Sequence, residues 1–486
     1  MATIQRYLVF FGCLVDTPTI DKLRIEPKGA LGVDQSTGRI IGRAAHDGVT
    51  SAIDYVHEWT GDSAVSGENI EVVSLAHGQF LMPGLIDTHT HAPQFTFLGI
   101  GHDLPLMDWL NKYTFKHESE FKDNQWARKM YTEVINRVVR NGVTFAAYYG
   151  TIHVEATCIL AEVIRSVGQR AYVGKVCMDA NSPDYYSEST AESLEDSKEF
   201  VRRILNAETA NAHGDQQKGQ HIPLIKPIIT PRFVPSCTGE CLAGLSELAH
   251  KHELPIQSHL CENPSEVDFA KSCFPDCTSY SSIYDKHGLL KQGTIMAHCV
   301  HMSDEDLRLI RATGAGISHC PNSNFSLASG TADVHRFLSE GIPVGLGTDV
   351  GGGYSPSIID SMRMAAAANR TLLAYKRDRG DFLEGRSAAP LEFSELIFLA
   401  TQGGAQVMGM RDNLGSLEAG KLFDAIVVDL DVPRSPVPSS TFTPAVIAFG
   451  EGSVDAWRLR LEQFVFLADD RNIARVFVNG RLIHSV

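Results

Sequence analysis

The sequence predicts an α/β fold: a (β/α)8 TIM barrel with a small β-sandwich domain formed from both chain ends. Three observations predict it. Eight apolar segments of strand length recur between Gln79 and Val350, and most are near-continuous apolar runs, as strands buried on both faces are. Most are separated by stretches with helical patterning, and this alternation over about 250 residues outlines a parallel barrel. The flanks hold only short strand-like runs between turn-rich pieces, and neither flank is long enough for a domain of its own.

In chain order the strand segments are QFLMPGLIDTHTH, GVTFAAYYG, RAYVGKVCMD, IKPIITPRF, LPIQSHLCE, TIMAHCV, AGISHCPNS and IPVGLGTDV. WARKMYTEVINRVVRNG and GECLAGLSELAHKHE read as helices between them. Gly142 closes the first, as a glycine just past a helix end does. SMRMAAAANRTLLAYKR and LEFSELIFLATQGGAQVMGM read as helices that complete the wall. RYLVFFG, RIIGR and IEVVSL at one end, with LFDAIVVDL and ARVFVNGRLIH at the other, are short strands, and Asn479-Gly480 signals a hairpin turn. The expected division is 1–80 and 411–486 for the two parts of the sandwich and 81–410 for the barrel.

Composition narrows the function. A net charge of -15 leaves no basic excess to displace counterions, so nucleic acid is not the expected partner. An anionic membrane surface is equally disfavoured. No apolar run of about 18 residues is present to span a bilayer, and the N-terminal segment lacks the pattern of a signal peptide. Ten cysteines are scattered without a C-x-x-C pair, which suits free thiols in a reducing cytoplasm. The three-residue spacings Cys237/Cys241 and Cys273/Cys277 are expected to be coincidental.

The chemistry gathers at strand ends. His89 and His91 alternate, so they point to one side of a strand, and imidazole is the commonest metal ligand near neutral pH. Two such residues alone are a weak signal. His259 closes LPIQSH, His298 closes TIMAH, and Asp349 closes VGLGTD ahead of three glycines. Groups at the C-terminal ends of separate barrel strands converge on one mouth. Several N/O ligands with an open position are the pattern of a catalytic metal site. Glu262, three residues after His259, is placed to shuttle protons, though a solvated carboxylate reads equally well. His319 reads as a hydrogen-bonded structural histidine, Asn322 to Asn324 as turn and cap residues, and His117, His153 and His301 as surface or packing residues.

Together these residues resemble the amidohydrolase superfamily. PGLIDTHTH matches its first-strand signature, and HCPNSN with GLGTD is similar to its deaminase and chlorohydrolase branch. THAPQF, DLPLMDWLNKYTF, GKVCMD, TPRF, QSHLCEN, IMAHCV and HCPNSNFSLASG narrow the resemblance to members that deaminate the purine base guanine, over nearly the whole chain. The resemblance implies one Zn2+ per chain held by His89, His91, His259 and Asp349, with His298 orienting a water rather than ligating. It implies that Gln94, Arg232, Phe233 and Glu262 contact the purine. It further implies that zinc-activated hydroxide attacks C2, with Glu262 shuttling protons, and that the enzyme is a cytoplasmic homodimer. The alternatives are a related hydrolase acting on another purine, a pterin or a triazine, or a non-catalytic scaffold. The zinc deaminases that need H-x-E followed by P-C-x-x-C are excluded, since no Pro-Cys dipeptide occurs.

Overall fold

The computed structural model describes residues 6–212, 222–381, 388–439, 448–450 and 452–486. Strands β1 (Tyr7–Thr19), β2 (Lys22–Asp34), β3 (Arg39–Ala45), β4 (Ile70–Ser74) and β5 (Gln79–Pro83) come first. There follow β6 (Leu85–His91), β7 (Val143–Tyr149), β8 (Arg170–Gly174), β9 (Val176–Cys177), β10 (Ile225–Pro227) and β11 (Thr230–Pro231). Then come β12 (Ile256–Leu260), β13 (Thr294–His298), β14 (Gly316–His319) and β15 (Val344–Leu346). The last are β16 (Ala425–Asp429), β17 (Ile473–Val478) and β18 (Arg481–Ser485).

Each of the eight strand segments expected from the sequence is present, three of them broken in the middle. β6, β7, β8 and β10 form one parallel sheet, β12 to β15 a second, and β9 and β11 a parallel pair between them. A parallel bridge from Ile229 to Ile256 joins the first sheet's end to the second. Across the far side, the Thr88 hydroxyl donates to the Leu346 carbonyl at 2.9 Å, and the Asp349 amide donates to the His89 carbonyl at 2.9 Å. These links bring the ends of β6, β12, β13 and β15 to a common region.

The first expected strand divides. Gln79–Pro83 pairs with β1 and β16, whereas Leu85–His91 pairs with β7. Gly84 is the hinge, and a Cβ there would meet Thr144 Oγ1 at 2.1 Å. Both chain ends share one eight-stranded sheet, in the order β18-β17-β16-β5-β1-β2-β3 with β4 beside β1. Leu8, Phe10, Leu31, Phe423, Val427 and Phe477 form a core common to the two ends. The turn at Asn479 and Gly480 has φ of 52° and 74°, the doubly positive geometry that Asn-Gly hairpins favour.

Helices cover the parallel strands. Asp123 caps Asn124–Arg140 by accepting from the Gln125 and Trp126 amides, and Ala127, Tyr131, Val134, Ile135 and Val138 form its buried stripe. Gly142 follows with φ of 82°, where the sequence places the helix stop. The ten cysteines are free and eight are buried. Among the described residues no helix is long and apolar enough to cross a membrane.

Candidate active site

The C-terminal ends of the parallel strands carry strained backbone. Cys261, His298, Cys299 and Asp349 have φ of 52°, 72°, 52° and 46°. Such left-handed residues other than glycine are uncommon and persist where the surroundings fix them. Here the strain turns side chains at the ends of β12, β13 and β15 towards the end of β6.

The result is a tight polar cluster. His89 Nε2 lies 3.1 Å from Asp349 Oδ1. His91 Nε2 lies 3.2 Å from His259 Nε2 and 3.5 Å from Asp349 Oδ1. His298 Nε2 is 3.5 Å from Glu262 Oε2 and 3.8 Å from Asp349 Oδ2. His89, His259, His298 and Asp349 each bring a donor atom within 4.8 Å of the others. Two atoms bound to one zinc at about 2.0–2.1 Å in a tetrahedron stand about 3.3 Å apart. The His89–Asp349, His91–His259 and His91–Asp349 spacings are close to that separation.

Second-layer contacts decide which atoms are available. His259 Nδ1 donates to the Arg232 carbonyl at 2.6 Å, so its lone pair lies on Nε2, towards His91. Burial holds the pKa of His91 and of His259 well below the ordinary value, as a neutral ligand requires. His298 differs: burial opposes its charge, but Glu262 and Asp349 outweigh that and hold its pKa above the ordinary value. Its Nδ1 faces Asn324 Oδ1 at 2.9 Å. Burial pushes Glu262 up to about 7. Asp87 underlies the cluster. Its carboxylate accepts from the amides of Thr348 at 3.0 Å and His89 at 3.2 Å, tying β6 to the segment that carries Asp349.

Beside the cluster is a cavity lined on its apolar side by Leu106, Trp109, Leu110, Phe233 and Leu327. Leu106 to Leu110 lie in the DLPLMDWLNKYTF segment, where a helical turn passes into a π-turn at Leu110–Thr114. Gln94 and Arg232 line the cavity as well. Phe233 is 7% exposed, with its ring 6.5 Å from that of His259. All nine sequence-selected residues therefore lie in this one region.

Sequence reasoning missed Glu118, which is wholly buried. It accepts from Arg232 Nη1 at 2.6 Å and Nη2 at 3.0 Å, from Gln94 Nε2 at 2.9 Å and from the Tyr186 hydroxyl at 2.9 Å. Within KHESEF it reads as a charge on an exposed helix, and no local pattern marks it. Two other expectations need correction. His319 is buried, but neither ring nitrogen has a hydrogen-bond partner among the described residues, and burial pushes its pKa down to about 3. Asn322 to Asn324 are not a turn but belong to the short helix Pro321–Ser326. Cys237 and Cys241 do approach each other beside Asp179, whose oxygens accept from Thr190 and Thr238.

The fold and the histidine–aspartate cluster define a class. The profile of the amidohydrolase family matches residues 80–483, and the chain belongs to that family. It is 40% identical to guanine deaminase of Dictyostelium discoideum, over 98% of each chain. It is 42% identical to a probable guanine deaminase of Schizosaccharomyces pombe, over 98% of this chain and 83% of that one. Among solved structures, guanine deaminase from C. acetobutylicum with guanine bound in its active site superposes with a TM-score of 0.81 at 33% identity, covering 99% of this chain and 100% of the other.

Proposed function

We propose that this protein is a zinc-dependent hydrolase that deaminates guanine, converting guanine and water to xanthine and ammonia. The observation that carries the proposal is that Gln94 and Arg232 line the same cavity as His91, His259, His298 and Asp349. The similarity to guanine deaminases supports the substrate. We read the eight parallel segments as one (β/α)8 barrel spanning 81–410, with 1–80 and 411–486 folding together as a small β-sandwich.

In this reading His89, His91, His259 and Asp349 hold one zinc ion. Their spacing and the low pKa of His91 and His259 support the choice. His298, whose pKa is raised, stays outside the ligand set and orients a water molecule. The bound ion would supply the charge that makes a water acidic enough to react near neutral pH.

The protein's own groups do the rest. Phe233 offers a face to the purine ring, and Arg232 donates to the purine carbonyl, since a guanidinium presents its donors in a fixed fork. Glu262 holds a proton to higher pH than an ordinary carboxyl, because burial raises it to about 7. It delivers that proton to the ring nitrogen next to C2, which makes C2 electrophilic. Asp349 takes a proton from the attacking water. Asp349 passes that proton to the amino group, which leaves C2 as ammonia, and the C2 hydroxyl proton returns to Glu262 as the xanthine carbonyl forms.

Xanthine formation from guanine by wild-type protein and by Arg232→Ala tests the assignment. Wild type converts guanine, and the variant loses about a hundredfold or more in kcat/KM while keeping its metal. An unchanged rate in the variant removes guanine as the substrate.

A further inference from the structure

We infer that Glu118 is a positioning residue that fixes the donor and acceptor sense of the base-reading edge. The inference rests on the guanine reading and names what enforces its specificity.

A carboxylate can only accept hydrogen bonds. Gln94 therefore turns its Nε2 to Glu118 Oε1, at 2.9 Å, and its Oε1 is left buried without a partner among the described residues. That orphan oxygen belongs to a residue lining the cavity. The same carboxylate takes Arg232 Nη1 and Nη2, which uses two of the five guanidinium donors and sets the plane of the rest. Phe115 lies 5.3 Å beneath the guanidinium carbon, and Tyr186 donates to Glu118 Oε2 at 2.9 Å. One wholly buried carboxylate thus presents an acceptor at Gln94 next to donors at Arg232.

A 6-oxopurine carries the complement, an acceptor O6 beside a donor N1–H. A 6-aminopurine carries the inverse, a donor amino group beside an acceptor N1. Arg232 alone disfavours the amino group. Glu118 adds a second barrier, because it denies Gln94 the amide flip that would read the inverse pattern. With glutamine at 118 an amide NH2 can face Gln94, and the edge can invert.

The test compares guanine with 2,6-diaminopurine, which keeps the amino group at C2 but inverts the edge, in wild type and in Glu118→Gln. Competitive inhibition by hypoxanthine and by adenine, metal content and melting temperature are measured on the same samples. Wild type prefers guanine by about a hundredfold or more. In Glu118→Gln that preference and the hypoxanthine-to-adenine ratio fall at least tenfold, while metal content is retained. A variant that slows on both bases equally, with the ratios unchanged, overturns the inference and leaves Glu118 a purely structural residue. If Glu118→Gln does not fold, Tyr186→Phe removes one hydrogen bond from Glu118 and shifts both ratios the same way by about threefold; unchanged ratios there overturn the inference too. Wild-type protein that neither converts nor binds guanine overturns the functional reading itself, and this inference with it.

Discussion

His259 shows how much one hydrogen bond decides. Its Nδ1–H is held by the Arg232 carbonyl at 2.6 Å, which leaves Nε2 turned towards His91. In the proposed function chain neighbours are thereby joined: Arg232 and Phe233 would contact the base, while the backbone of Arg232 orients His259. In the proposed function, loss of Glu262 is expected to separate binding from chemistry. Glu262→Gln keeps its size and lies outside the proposed ligand set. It is expected to lower kcat by about a thousandfold, within the usual range for a proton-transfer group, with metal content unchanged; equal turnover removes Glu262 from the proton path. The histidines and Asp349 were legible because each closes an apolar run, and the fold gathers such ends. Glu118 was not. Its partners Gln94 and Arg232 lie 24 and 114 residues away, and its burial follows from tertiary packing that no local pattern carries.

At the level of elements, the glycines after Asp349 do spatial work. Gly351 has φ of 119°, and a Cβ there would meet the Gln94 Cβ at 2.7 Å and Oε1 at 2.8 Å. Gly351→Ala is therefore expected to displace Gln94 and raise KM for guanine about tenfold or more with little loss of metal. An unchanged KM shows that the loop absorbs the methyl group elsewhere. The parallel strands were legible from their apolar runs, and the helix Asn124–Arg140 from its patterning and its stop. β2 was not, since KLRIEPKGALGVD mixes charges with a proline. The structure explains the proline: β1 and β2 slip between Gly12 and Leu14, so Gly12 faces Gly29 and Leu14 faces Glu26. Pro27 falls in that bulge, where no ladder hydrogen bond is needed. The helix Val454–Leu467 also escaped notice, and its sequence VDAWRLRLEQFVFL carries only a weak apolar stripe.

Across the whole molecule, buried ion pairs tie the chain ends together. Asp16 in β1 accepts from Arg24 at 2.7 Å, from Arg43 at 2.9 Å and from the Leu417 amide, 401 residues away, at 2.8 Å. Burial alone would raise its pKa, but the Arg24 hydrogen bond and the charges of Arg43 and Arg24 hold it below the ordinary 3.8. A carboxyl lowered in the folded state stabilises the fold above its unfolded pKa and loses that contribution as pH falls through the folded value. Asp16→Asn is expected to cost about 3 kcal/mol at pH 7, with the gap to wild type closing as pH drops below about 3.8. Denaturant unfolding at pH 7 and pH 3 checks both, and a gap that does not change with pH contradicts the ion-pair explanation. Arg170 and Asp424 make a second such tie, at 2.7 Å over 254 residues. Strand-like runs at both ends suggested that the ends meet, but the partners holding them are single charged residues far apart in sequence.

Ammonia release from guanine, adenine, cytosine and a pterin in parallel, with metal content on the same purified sample, is the most direct measurement. Ammonia from guanine alone, accompanied by xanthine and about one zinc per chain, is the expected result. Zinc with no release from guanine would contradict the substrate and return Gln94 and Arg232 to open roles. Guanine turnover in fully metal-free protein would contradict the site built on His89, His91, His259 and Asp349.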